Sequence, residues 1–138
     1  MNPRITTIIV GSIILILGFA GLVYPDRIMG LLGFSMPNPS HGAAALGEVR
    51  ATYGGLFAVM GVYTLLAAMD PAAHRARLTF VGLMWLGACA GRLLGASIDG
   101  NPGLPGWLTA LFELIMGGTL VATAWLATGN AAPSPSQP

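Results

Sequence analysis

Residues 47–55 have the sequence Gly47-Glu48-Val49-Arg50-Ala51-Thr52-Tyr53-Gly54-Gly55. They open an apolar run that continues to Met69 and is long enough to cross a membrane. Two opposite charges, a phenol and a glycine pair therefore lie at one end of a predicted membrane helix. A charged side chain at the centre of such a helix costs about 2.5–3.5 kcal/mol on insertion scales, so we expect these charges to be paired or used.

The composition of the whole chain indicates an integral membrane protein. Charged residues make up 8% and hydrophobic residues 54% of the 138 residues, whereas about 25% of an average soluble domain is charged. So few charges could not cover a surface that faces water, and the lipid bilayer is the expected partner. A net charge of +1 without lysine argues against nucleic acid, which requires a clustered basic patch.

Four apolar segments predict an all-α fold, a bundle of four transmembrane helices within one membrane domain over residues 1–127. A span of about twenty residues at about 1.5 Å each matches a hydrocarbon core of about 30 Å. The first segment is longer than the usual h-region of about 7–15 residues, so we expect it to be retained rather than cleaved. The predicted spans are residues 5–24, 46–69, 78–98 and 107–127.

Shorter segments connect these spans. Arg27 to Phe34 is too short to cross a membrane but apolar enough to lie at the interface. Proline and glycine predict loops at 36–42 and 99–106, the second without a helical alternative. A polar link covers 72–77. Residues 128–138, rich in Pro, Ser and Ala, are predicted to be disordered.

The loop arginines predict the orientation. Four spans put both termini on one side of the membrane, and Arg4, Arg75 and Arg77 fall on that side. Arg27 is the only loop arginine on the other side. By the positive-inside rule, the termini of this multi-pass protein are expected in the cytoplasm and the protein in the plasma membrane.

Glycines recur at helical spacing in three spans and predict packing faces, because small residues let helix backbones approach closely in lipid. We favour packing within one bundle over a face for self-association. The three stripes are Gly11 and Gly18 in the first span, Gly47, Gly54 and Gly61 in the second, and Gly87, Gly91 and Gly95 in the third.

Four charged residues are predicted to share one layer in the outer half of the bundle. At 1.5 Å per residue, Glu48 lies about 5 Å and Arg50 about 8 Å inside the apolar layer. On the same count, Arg92 lies about 9 Å and Glu113 about 10 Å deep, with Asp99 at the rim. Two acids and two bases balance, which makes such a layer tolerable in a membrane.

Helix phase predicts how these charges pair. At about 100° per residue, Arg50 shares the face of the second glycine stripe and should face the bundle. Glu48 is about 200° from Arg50 and cannot pair with it on the helix. We expect Glu113 to pair with Arg92 or Arg50, and Tyr53 to donate a hydrogen bond to a carboxylate. Glu48 would then meet the other arginine or water at the rim.

Other reactive residue types do not form a recognisable site. Cys89 is the only cysteine, and its place in mid-span among small residues is typical of a core residue. His41 and His74 lie in separate predicted loops and lack the partners of a metal site. No Walker loop, nucleophile elbow or zinc signature occurs. We expect no metal and no cofactor, and we interpret Trp85 and Trp125 as packing residues.

The charged layer has three interpretations, and the candidate residues are Glu48, Arg50, Tyr53, Arg92, Asp99 and Glu113. It could be a charge-balanced clamp between helices, a polar pocket for a small ligand, lipid head group or proton, or an interface with another membrane protein. We favour a non-enzymatic membrane protein or an accessory subunit. The alternative is a membrane-embedded enzyme or proton-coupled carrier that uses Glu113 or Glu48, although the internal repeats or broken helices of many carriers are not evident.

An ordered set of polar motifs resembles a known family. The motifs are Glu48-x-Arg50-Ala51-x-Tyr53-Gly54-Gly55, Gly91-Arg92, Asp99-Gly100 and Phe112-Glu113. They resemble the domain of unknown function 4345 family of small four-helix membrane proteins, and the resemblance extends from about Arg4 to Leu126. It implies the fold and the membrane location but no activity, because the family has none assigned. A looser similarity in size to the DoxX-like membrane proteins carries no function.

Overall fold

The computed structural model describes residues 2–34 and 42–127, and these ranges are largely helical. Four of the helices are long and apolar enough to cross a membrane, which confirms the predicted all-α class. His41, most of the loop predicted at 36–42 and the tail 128–138 lie outside the described residues. The helices are α1 (Pro3–Val23), α2 (Pro25–Leu31), α3 (Gly42–Ala67), α4 (Arg75–Asp99) and α5 (Gly103–Leu126).

A capping side chain and a proline determine where the first two helices begin. The Asn2 side chain accepts a hydrogen bond from the Arg4 backbone N–H at 3.0 Å and caps α1. Tyr24 ends α1, and Pro25 starts α2 because a proline in the first turn loses no helical hydrogen bond. Helix α2 is the short segment predicted at the interface, displaced slightly towards the N-terminus.

The loop predicted over residues 99–106 is shorter than expected. Helix α5 begins at Gly103, whose φ of 71° suits glycine, and Pro105 lies in its first turn, where a missing N–H is harmless. Asn101 Oδ1 accepts hydrogen bonds from Gly103 N at 3.1 Å and Trp107 Nε1 at 3.0 Å. The prediction that this segment has no helical alternative is wrong, because Gly and Pro do not break a helix at its start. Helix α4 likewise begins at Arg75, inside the predicted link.

A π-helical segment, Arg50–Leu56, interrupts α3 and includes most of the polar and glycine residues of positions 47–55. In a π-helix the backbone bonds join residues five apart rather than four. Val49 and Gly54, five residues apart, are both buried, whereas Arg50 is exposed. The prediction that Arg50 faces the bundle is therefore wrong, because it applied the α-helical angle per residue to a segment that winds differently.

Glycines hold α1 against α3. A Cβ atom added at Gly61 would lie 2.5 Å from the backbone N of Leu15, and one added at Gly18 would overlap the backbone of Ala58. The first glycine stripe and most of the second are thus confirmed as packing faces. Gly47 is the exception, since an added Cβ there would meet nothing within 4 Å.

The third glycine stripe does not pack inside this bundle, so its prediction is wrong. A Cβ added at Gly87 or Gly91 would meet nothing within 4 Å, and both residues are exposed. Helix α4 instead packs on α5 through Gly82 and Gly117. A Cβ added at Gly82 would lie 2.9 Å from Gly117 O, and one at Gly117 would lie 2.7 Å from Gly82 O.

The four long helices form two pairs of consecutive helices. Helix α1 packs most extensively on α3, and α4 on α5, whereas the contact between the two pairs is smaller. An aromatic row crosses from α3 through α4 to α5 and joins the pairs. Successive ring centroids along it are 5.5, 4.7 and 5.5 Å apart, and its members are Tyr53, Phe57, Trp85 and Phe112.

Candidate functional site

An ion pair joins α4 to α5 beside the aromatic row. Arg92 Nε donates to Glu113 Oε1 at 2.8 Å, the one ion pair that the described part of the chain contains. The Glu113 side chain is 4% exposed and that of Arg92 26%. This is one of the two pairings expected from the sequence, and its depth in the bundle makes loss of either partner costly.

Tyr53 extends this pair to α3. Arg92 Nη2 donates to the Tyr53 hydroxyl oxygen over a long contact of 3.5 Å. The expected bond from Tyr53 to a carboxylate is not present among the described residues, so that prediction is wrong. The π-helical segment presents Tyr53 to the guanidinium, which thereby contacts both helix pairs.

The other three candidates lie apart from this group. Glu48 is exposed, and its Oε1 accepts a hydrogen bond from Thr52 Oγ1 at 3.1 Å on the same helix. Arg50 is exposed on α3, and Asp99 is the exposed last residue of α4. Within the described ranges, no ion pair or hydrogen bond joins any of them to Glu113. Of the four charged residues that were expected to share one layer, only Arg92 and Glu113 form a pair.

Two cavities adjoin the Arg92–Glu113 pair. The main cavity has a volume of about 260 Å³, and its wall combines apolar residues of α1, α2 and α5 with the aromatic row. The second cavity, of about 150 Å³, lies between α3 and α4 and includes Arg92. The side chains that line both cavities are Tyr53, Phe57, Trp85 and Glu113.

Two buried polar atoms at these cavities have no hydrogen-bond partner among the described residues. They are Glu113 Oε2 and Trp85 Nε1, and their residues are 3% and 2% exposed. A buried donor or acceptor left unsatisfied costs about 1–3 kcal/mol. Sequence reasoning assigned Trp85 to packing alone, although an indole N–H in mid-span needs an acceptor and could have marked it. The residues that carry this acceptor and this donor both line the two cavities.

The remaining reactive residues lie elsewhere. Within residues 2–34 and 42–127, no three side chains of His, Cys, Asp or Glu are grouped so as to hold a metal ion. His74 lies at the start of α4, with Nδ1 2.9 Å from the carbonyl oxygen of Asp70. Cys89 is a buried free thiol on α4. The chemistry of the site is thus that of one carboxylate, one guanidinium, one phenol and one indole.

Comparison with known proteins identifies a family. The family described as Domain of unknown function (DUF4345) has a model that matches residues 3–125, which include α1 to α4 and nearly all of α5. No curated protein and no solved structure matches the chain. Because the match covers most of the sequence and all the polar motifs on α3, α4 and α5, the chain belongs to the DUF4345 family.

Proposed function

We propose that this protein binds a small, mainly apolar ligand beside the Arg92–Glu113 pair. Glu113 Oε2 carries the proposal, since it is a buried carboxylate oxygen that has no hydrogen-bond partner among the described residues, on a side chain that lines two cavities. Ligand sites are commonly concave and apolar with a few polar groups that fix orientation. The main cavity has this character.

The clamp interpretation explains only part of this geometry. A clamp that used the full capacity of both groups would place two parallel N–H donors of the guanidinium on the two carboxylate oxygens. Here Arg92 contacts one oxygen through Nε, and its Nη2 is turned to Tyr53. The pair therefore joins α4 to α5 and leaves the second oxygen for a ligand.

The other interpretations have less support. An enzyme or proton-coupled carrier could use Glu113, but Glu48 is exposed and bonded to Thr52, away from the cavities. An accessory subunit needs a contact face for its partner. The exposed glycines Gly87 and Gly91 would allow close approach of another helix, but nothing in the structure shows what covers them.

Filling the main cavity tests the proposal. Thr109 is half-buried in its wall, and Thr109→Phe is expected to displace a bound ligand. Thr79→Phe is the matched control, because Thr79 is also half-buried but lines a groove at the opposite end of α4. Native mass spectrometry of protein extracted with its membrane lipids should show a small bound molecule on the wild type and Thr79→Phe only. Equal retention by both variants, or none by the wild type, would contradict the proposal.

We further infer that both termini are cytoplasmic and that the membrane is the plasma membrane. Support comes from Arg4 at the start of α1 and from Arg75 and Arg77 at the start of α4, against Arg27 at the other end of the bundle. In this orientation the Arg92–Glu113 pair lies in the outer half.

Cysteine labelling in intact cells checks the orientation. In a Cys89→Ala background, Pro102→Cys should react with an impermeant maleimide from outside, whereas Ala73→Cys should react only after permeabilisation. Both positions are exposed, and Pro102 is preferred to Asn101 because the Asn101 side chain caps α5. The reverse labelling pattern would move the ion pair to the cytoplasmic half.

A further inference from the structure

The two unpartnered atoms define the polar group that a ligand must carry. Glu113 forms an ion pair with Arg92 through Oε1 at 2.8 Å, and its second oxygen, Oε2, is the hydrogen-bond acceptor left over. The indole of Trp85 can only donate. A ligand that satisfies both atoms donates to the first and accepts from the second. A hydroxyl does both through one oxygen.

The charges around the cavities exclude an ionised ligand. Arg92 and Glu113 already neutralise each other, so an added charge would have no counter-ion there. A carboxylate or phosphate would be repelled by Glu113, and an ammonium group by Arg92, which lines the second cavity. In an apolar wall such an uncompensated charge is expensive. The ligand head group is therefore neutral.

The wall of the main cavity indicates the rest of the ligand. Leu17 of α1 and Ile28 of α2 line it, and so do Leu31 and Leu108, which are 71% and 56% exposed and so form a rim that faces outward. In a membrane this rim opens between α2 and α5 towards lipid, so a chain can enter from the bilayer. The volume of about 260 Å³ is below the roughly 300–1,000 Å³ of pockets for drug-sized molecules, which favours one chain over two.

We propose that the ligand of this site is a neutral single-chain alcohol drawn from the bilayer. Its hydroxyl donates to Glu113 Oε2 and accepts from Trp85 Nε1, and its chain lies along the main cavity towards α2. This inference rests on the proposed function and adds the chemical class of the ligand.

Fluorescence quenching of Trp85 measures whether the site prefers an alcohol to an alkane or a charged acid. Trp107→Phe/Trp125→Phe leaves Trp85 as the only indole, and a bromine atom quenches an indole that it contacts. With this variant in nanodiscs, we expect saturable quenching by 2-bromodecan-1-ol, because its bromine lies next to the hydroxyl and therefore beside the indole. Its half-saturating concentration should be at least tenfold below that of 1-bromodecane, which lacks the hydroxyl, and of 2-bromodecanoic acid, which is charged.

Variants in the same background locate the binding. Thr109→Phe should abolish the saturable quenching, and Thr79→Phe should leave it unchanged. Glu113→Leu/Arg92→Leu removes the acceptor together with its counter-ion, and is expected to reduce the preference for the alcohol over the bromoalkane several-fold. Retention of the full preference in that double variant would overturn the inference.

The outcomes separate this inference from the proposed function. Equal saturable quenching by the bromoalcohol and the bromoalkane, or tighter binding of the acid, would overturn the alcohol class but keep the site. If mass spectrometry finds a molecule bound to the wild type but the alcohol gives no saturable quenching, the alcohol class is again overturned and the binding site is kept. If no probe quenches saturably and no molecule co-purifies, both proposals fail and the cavities hold water or lipid non-specifically.

Discussion

Glu113→Gln is expected to lower the free energy of unfolding of the bundle by about 3–5 kcal/mol, the usual cost of removing one partner of a buried ion pair. Glutamine keeps the size of the side chain but leaves Arg92 without a counter-ion. No other acid in the described part of the chain pairs with Arg92. Unfolding in mixed micelles with increasing denaturing detergent, followed by circular dichroism, measures the loss.

A second substitution identifies the partner. Adding Arg92→Leu should recover much of the loss, because replacing a whole buried pair with apolar groups is often nearly neutral. Arg50→Leu is the matched control, since Arg50 is exposed and makes no ion pair with Glu113. If Glu113→Gln leaves stability unchanged with either second change, Glu113 is solvated in a water-filled cavity. A carrier or enzyme would then be favoured over a clamp.

Gly61→Leu is expected to destabilise the bundle strongly, whereas Gly91→Leu is expected to melt close to the wild type. Overpacking typically costs about 1–3 kcal/mol, and more where nothing can move. At Gly61 the obstacle is the backbone of Leu15, 2.5 Å from an added Cβ, while Gly91 has nothing within 4 Å. Thermal melts of both variants in one detergent check the difference.

An equal loss of thermal stability in Gly61→Leu and Gly91→Leu would change the description of α4. It would show that a second molecule covers the outer face of α4. The apparent mass of wild type and Gly91→Leu by light scattering would then differ, because the leucine would keep that molecule away. A monomeric wild type with a strongly destabilised Gly91→Leu would contradict the packing described for α4.

The spans could be predicted well because the information is local. The predicted span over residues 5–24 and the observed α1 (Pro3–Val23) differ by one or two residues at each end. Apolar runs of membrane length have few alternatives once their backbone must be hydrogen-bonded internally. The error at Gly103–Gly106 arose because the effect of proline depends on its position in the helix.

The site could be predicted only in part. Counting residues from the helix ends placed Arg92 and Glu113 at one depth, and the structure pairs them. The direction of Arg50 could not be obtained in this way, because the π-helical segment changes which residues share a face. The cavities, and a Trp85 N–H that has no acceptor in the described part of the chain, depend on how five helices meet, which no local pattern records.

Glycine spacing shows the same limit. The stripe that includes Gly87 and Gly91 has the small-xxx-small spacing, yet the contact between α4 and α5 forms at Gly82 and Gly117, which belong to no stripe. Spacing reveals that a helix face is smooth enough for close approach. It does not reveal whether the approaching backbone belongs to the same bundle.

The pairing of consecutive helices has a consequence for how the chain enters the membrane. Arg92 and Glu113 belong to α4 and α5, which follow each other directly and pack on each other. Delivered together as a helical hairpin, they carry their two opposite charges into lipid already neutralised. We therefore expect α4 and α5 to insert without help from α1 and α3, and Tyr53 to meet the guanidinium only when the two helix pairs associate.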